Sequence, residues 1–248
     1  MKGWCLPGML AALALMAVPT ERPVPFRAGE TLSFDISWSQ FLTAGTATIA
    51  VREKRPSFDS IAYYIVADGR PTPLLARLYT LYYKADTLLD VFTLLPQRAS
   101  VYSKEGSKER MKALRFDQVA RRGVYEVTTS TVVTTNLTLP ANAQDPLSAI
   151  YVLRSRPLKP GATFTMPVVN NGEIYRMDAK VVAKETVVTP VGQLAAWKIV
   201  PTISDEHGKP TGDKLGLWIS DDARKLPVKL EADLPVGHFV ITLKSVRN

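Results

Sequence analysis

Hydrophobic and polar residues alternate singly along much of the chain. Leu32, Phe34, Ile36 and Trp38 are separated by Thr31, Ser33, Asp35, Ser37 and Ser39. A period of two puts the first set on one face of a strand and the second set on the other. Beyond a turn read at Ala44-Gly45, Ala47, Ile49 and Val51 alternate with Thr46, Thr48, Ala50 and Arg52, so the two runs predict a hairpin. Ile61–Ala67, rich in Tyr, Ile and Val, predicts another strand. The C-terminal half repeats the pattern. Phe164, Met166 and Val168 alternate before Asn170-Asn171-Gly172, a turn whose residues tolerate positive φ. Ile174–Val188 follows as one long strand with Tyr175, Met177, Ala179, Val181 and Ala183 on a single face. Thr189-Pro190-Val191-Gly192 turns the chain into Leu194–Val200. Three more alternating sets follow: Leu215, Leu217 and Ile219; Val228 and Leu230; Phe239, Ile241 and Leu243. Leu234-Pro235-Val236-Gly237 turns between the last two. Lys104–Lys108 and Ser204–Gly212 are polar hairpin tips.

Short connections between successive strands require antiparallel neighbours, because parallel pairs need long crossovers. Two helices interrupt this order. Thr72-Pro73 caps a short one carrying Leu74, Leu75 and Leu78, with Pro at the first helical position. Tyr79–Leu89 fits both periods and is assigned to strand. Asp145-Pro146 is the stronger start signal: Asp accepts from the free N–H groups of the first turn, and Pro has none to offer. Leu147, Ile150, Tyr151 and Arg154 follow at helical spacing, and Arg156-Pro157 ends the run. The fold class is therefore mainly β. A single curved antiparallel sheet, an open or half barrel of meander type, carries one or two short covering helices. No linker or composition shift divides residues 25–248, which read as one domain.

The first 20 residues differ. Lys2 precedes the uncharged run Leu6–Val18, and Pro19-Thr20-Glu21 follows. This is the layout of a secretory signal peptide, and the run is short for a membrane-spanning helix. Ala12-Leu13-Ala14 has the small-x-small form but lies early, so the cleavage site is not fixed. Export to the periplasm, with no transmembrane span after cleavage, is the expectation. Cys5 is the sole cysteine and precedes the apolar run, which leaves no disulfide framework and no cysteine-based metal site.

The chain has 31 Lys and Arg against 23 Asp and Glu, a formal net charge of +8. Such a balance favours an anionic partner, yet the basic residues are scattered and form no nucleic-acid arm. Reactive chemistry is sparse. No G-x-S-x-G, G-x-x-x-x-G-K-[ST] or G-x-G-x-x-G occurs. His207 belongs to a polar loop and His238 opens the last strand. Asp221-Asp222 lies between two strands, where Asp side chains stabilise turns, and Asp35 lies on a polar strand face. No catalytic residue, metal site or cofactor is assigned. A hydrolase would require Asp35, Asp221, Asp222 or His238 to meet in one cleft.

The aromatic residues are the remaining candidates. Phe34, Trp38, Tyr151, Trp197 and Trp218 either line an apolar ligand cavity on a curved sheet or fill the core beneath the helices. Two non-enzymatic readings follow, beside the third, an envelope hydrolase acting on wall or lipid. In the first, the protein is non-enzymatic and binds an apolar or amphipathic envelope ligand, a lipid or an anionic envelope component. In the second, it is an envelope scaffold that holds a protein partner through an exposed strand edge.

Three segments carry a resemblance. Phe26–Phe34 with Trp38 and Ala44–Ala47, the helix Asp145–Arg154, and the hairpin Trp218–Leu230 occur in the order found in the exported bacterial family domain of unknown function 3108. The hairpin is the most specific of the three. The resemblance implies an exported all-β domain. It carries no site residues, because the family has no assigned reaction. A more distant similarity, to periplasmic half-barrels that carry lipoproteins or lipids, is one of fold alone.

Overall fold

The computed structural model describes residues 19–38, 42–78, 80–211, 214–234 and 237–247. The signal peptide expected over residues 1–20 lies outside them except for Pro19 and Thr20. Pro235 and Val236 of the last expected turn also lie outside. The described strands are β1 (Thr31–Trp38), β2 (Leu42–Ser57), β3 (Ser60–Pro71), β4 (Leu81–Asp90), β5 (Pro96–Glu105), β6 (Lys108–Asp117), β7 (Arg122–Thr128), β8 (Val132–Thr138), β9 (Thr163–Asn170), β10 (Glu173–Thr189), β11 (Gly192–Ser204), β12 (Lys214–Ser220), β13 (Pro227–Leu234) and β14 (Gly237–Arg247). Helices are α1 (Pro73–Leu78), between β3 and β4, and α2 (Pro146–Arg154), between β8 and β9.

All fourteen strands form one sheet in the order β8-β7-β6-β5-β4-β3-β2-β1-β14-β13-β12-β11-β10-β9. Every neighbouring pair is antiparallel, and the sheet does not close into a barrel. The first and last strands pair at its centre, with Phe34 opposite Leu243. The free edges are β8 and β9, consecutive in sequence and joined through α2. Because the strands meander, their turns alternate between two ends of the sheet. The β9–β10, β11–β12 and β13–β14 hairpins turn at the upper end. The β12–β13 and β10–β11 hairpins turn at the lower end, where α2 also ends, its start lying beside Val168 in the upper part of β9.

The sheet is rolled so that its edges overlap. Val169 of β9 is buried with Leu114 and Phe116 of β6 and with Leu139 and Ala143 beyond β8. The β9–β10 turn closes this seam. Asn171 and Gly172 have φ of 53° and 80°, as a tight hairpin demands. A Cβ on Gly172 would lie 2.6 Å from the Tyr125 ring.

Helix α2 sits inside the roll. The Asp145 carboxylate accepts from the N–H groups of Leu147 and Ser148, and the Ser148 hydroxyl returns a contact to the Asp145 N–H. Its far end is pinned by Arg154, which is fully buried. Two guanidinium nitrogens donate to both oxygens of Glu30 at 2.6 and 2.9 Å. Further bonds run to the carbonyls of Lys225 and Arg224 in the β12–β13 turn. A bidentate pair of this kind satisfies both charges where water cannot.

Two parts of the sheet differ from the sequence expectation. Ala44-Gly45 is not a turn: Gly45 lies within β2, opposite Ile36 and Pro71. Glycine is needed there for close approach, since a Cβ would stand 2.3 Å from the Arg70 carbonyl oxygen. Residues 96–138, from which only the Lys104–Lys108 tip was expected, form four strands.

Candidate functional site

The interior beside α2 is hollow. A partly open cavity of about 420 Å³ lies between the helix and the upper parts of β9–β14. Pro146, Ala149, Ile150 and Leu153 form its floor, at spacings that put them on one face of α2. Its wall is a row of directly opposed side chains: Ile199 on β11, Leu217 on β12, Leu230 on β13 and Ile241 on β14. Met177, Pro201, Ile203, Leu215 and Ala232 continue that wall toward the upper end.

Polar groups are few and lie toward the upper, hairpin end. Tyr175 donates its hydroxyl to Glu173, while Glu231, between the cavity-facing Leu230 and Ala232, borders it by backbone and turns its carboxylate to Lys229 on the opposite face of the sheet. Asn170 and Thr211 are the other polar residues of the lining. Taking about 30 Å³ per group, the share of one water in the liquid, roughly 14 methylene-sized groups would fill 420 Å³. A second, smaller crevice of about 90 Å³ lies at the seam, between β4–β7 and the start of α2.

The five aromatic residues singled out in the sequence lie elsewhere, and none lines the large cavity. Phe34 is buried beside Leu32, Leu226, Val228 and Leu243. Trp218 belongs to the same cluster. Its indole N–H donates to Glu185 at 2.8 Å, and Lys198 and Lys229 stand over its ring at 5.0 and 4.6 Å. That bond, with the nearby lysines, lowers the Glu185 pKa. Trp197 packs against the main core and donates to Asp221, whose pKa is held down by Lys184 and by this bond. Tyr151 is buried on the α2 face opposite the cavity, edge-on to Phe26 with ring centres 4.7 Å apart. Trp38 is 41% exposed and stacks on Phe239 at 6.4 Å. The residues that do line the cavity are medium-sized aliphatics. Their alternation is visible in the sequence, but nothing there separates a wall from a filled core.

The groups a hydrolase would have needed do not converge. Asp35 pairs with Lys244 in mid-sheet, and His238 with Asp233 at the upper end. Asp221 and Asp222 sit in the lower β12–β13 turn, Asp222 bound to Ser220 and Arg224. Among the described residues no cluster of three or more His, Cys, Asp or Glu is placed to hold a metal ion. No described helix is long and apolar enough to cross a membrane.

The family described as Protein of unknown function (DUF3108) matches residues 33–244. The chain belongs to this family. The resemblance carried by the opening hairpin, the Asp145 helix and the Trp218–Leu230 hairpin is thus confirmed. For this DUF3108 chain no curated protein gives a match. Among solved structures, a β-barrel-like protein of the domain of unknown function DUF1849 from Brucella abortus is 11% identical. The match covers 89% of this chain and 98% of that one, with a TM-score of 0.54, and establishes likeness of fold. An exported protein with a YmcC-like fold from Bacteroides fragilis is 12% identical, covering 92% and 100%, with a TM-score of 0.38. A lipoprotein from Parabacteroides distasonis is 10% identical, covering 90% and 98%, with a TM-score of 0.36. Both stand too far from the DUF3108 fold to bear on its function.

Proposed function

We propose that this protein is an exported, non-enzymatic binding protein that holds one apolar or amphipathic ligand of the cell envelope. The observation that carries this reading is the cavity of about 420 Å³ between α2 and β9–β14, walled by aliphatic side chains and polar only toward its upper end. A volume in this range with a few polar groups is what small-molecule sites have in common. The chemistry of the wall selects the ligand class. With no charged group along the Ile199–Ile241 row, burial of hydrocarbon supplies the binding energy, at about 0.8 kcal/mol per methylene. The ligand is then a single acyl chain or a molecule of similar girth, its polar end toward Tyr175 and Thr211 at the upper end. The basic leader and the net charge of +8 support export and an anionic headgroup.

The experiment has two arms. Native mass spectrometry of protein purified without detergent from its own envelope is expected to show a co-purifying lipid mass. Purified protein is expected to bind the neutral fluorophore N-phenyl-1-naphthylamine, and Ala232→Trp, which fills the cavity from β13, to weaken that binding at least tenfold. Bare protein in the first arm together with unchanged probe affinity in the second overturns the proposal.

A further inference from the structure

The two free edges of the sheet are treated differently. Edge β9 is covered: Gln144 lies against it, donating its N–H to the Pro167 carbonyl at 2.9 Å and accepting from the Val169 N–H at 2.8 Å. Pro167 itself offers no N–H. Edge β8 has no such cover among the described residues. Its sequence, Val132 to Thr138, is β-branched at five of seven positions and contains neither charge nor proline. All its residues but Leu137 are exposed, Val132 at 61% and Val133 at 60%.

A bare edge of this kind is a template for strand pairing, and proteins commonly block it with Lys, Pro or a bulge. Here the charge is withheld. In a chain with 31 basic and 23 acidic residues, the whole stretch from Val127 to Gln144 contains none.

We infer that β8 pairs antiparallel with β8 of a second copy of this chain, making a two-fold symmetric dimer with one continuous sheet. The absence of charge points to this occupant. A strand laid on its own copy places every charge opposite its like, and an uncharged strand avoids that penalty. A two-fold axis through Thr135 pairs all seven residues: Val132 with Thr138, Val133 with Leu137, and Thr134 with Asn136. Exposed Val133 then covers Leu137 of the second copy. Leu137 already packs on the cluster of Leu114, Phe116 and Leu139, so that apolar layer continues across the joint. This assembly is independent of the cavity and of any ligand in it.

Sedimentation of the leaderless protein over a range of concentrations is expected to give twice the monomer mass. Val133→Lys is expected to give monomer with an unchanged far-ultraviolet spectrum. The register has its own test. Across the axis the Thr135 Cα atoms stand about 4.5–5.5 Å apart, within disulfide reach. Thr135→Cys is therefore expected to form an oxidised dimer, while Val132→Cys, six residues from its own copy, stays unlinked. Monomer at every concentration, or equal crosslinking at both positions, overturns the inference.

Discussion

Helix α2 separates two interiors built from the same kinds of residue. On one side Leu147, Tyr151 and Arg154 face β2–β4, and the space is filled. Phe26 lies edge-on to both Tyr63, at 5.2 Å, and Tyr151, and the Arg154 guanidinium covers the Phe26 ring at 5.3 Å. Val51, Ile65, Leu89, Val91 and Leu94 close the gaps. On the other side Ala149, Ile150 and Leu153 face β9–β14 across an open cavity. The contrast lies in side-chain reach. On the filled side Tyr151 and Arg154 reach out from the helix to meet Phe26 and Tyr63, while aliphatics, Ala232 among them, stand back on the hollow side. The filled half fixes where the helix sits, and this lets the other half stay open without collapsing onto it.

If so, the fold depends most on the anchor of the filled half. Arg154→Met leaves the Glu30 carboxylate buried without a partner, and a loss of about 3–5 kcal/mol in urea unfolding is expected. Adding Glu30→Leu removes the stranded charge and is expected to restore much of that loss. A cost below about 1 kcal/mol for the single change would break the claim that this pair holds α2 in place.

The two sides should also answer truncation differently. Tyr151→Ala opens a void in close-packed surroundings and is expected to cost roughly 3 kcal/mol or more. Ile203→Ala borders space that is already empty, so only the transfer term is lost, about 1–2 kcal/mol. Ligand should separate them further. A bound acyl chain raises stability by mass action, so Ile203→Ala should lose part of that increment while Tyr151→Ala retains it. Equal costs in the ligand-free protein would mean that the hollow side is as tightly packed as the other.

The sequence discloses these regions unevenly, for physical reasons. Strands β1 and β9–β14 are legible because apolar residues recur at every second position in each, as in Phe164, Met166 and Val168, even in β12, which is buried on both faces over Gly216–Ser220. Helix α2 is legible from its Asp145-Pro146 start. Strands β5–β8 are not, because they run past the seam. In β6, Lys108, Glu109 and Arg110 are all exposed and only Leu114 and Phe116 are buried, so the period of two appears in the lower half alone. In β8 only Leu137 is even half-buried. The misplaced turn at Ala44-Gly45 has another cause: glycine there serves the approach of Arg70 on β3, a contact that no local pattern displays. The cavity is least legible of all. A filled core and a hollow one use the same alternation of aliphatics, and the difference is a sum of side-chain volumes over six strands and a helix.

The smallest expected effect concerns the point where the two interiors meet, at the start of α2. Asp145 is buried, and although Thr87, Ser148 and the helix N–H groups favour its charged form, loss of solvent dominates and raises its pKa above the ordinary carboxylate value. The folded protein then holds this proton more tightly than the unfolded chain does. The stability it contributes is fully present below about pH 4, the unfolded value, and is lost as pH rises through the higher folded value. Asp90 in the β4–β5 turn and Asp222 in the β12–β13 turn carry lowered values, from hydrogen bonds with Ser60 and Thr93 and with Ser220 and Arg224, and act in the opposite sense. The measurement must therefore be a difference. Asn caps a helix as well as Asp does, so Asp145→Asn keeps the cap and removes the titration. The stability of the wild type minus that of the variant, from urea curves, is expected to fall steadily as pH is raised from 4 to 7. A flat or rising difference would mean that the bonds from Thr87 and the helix outweigh burial at this carboxylate, and that the end of α2 between the filled and hollow halves is wetter than its surroundings imply.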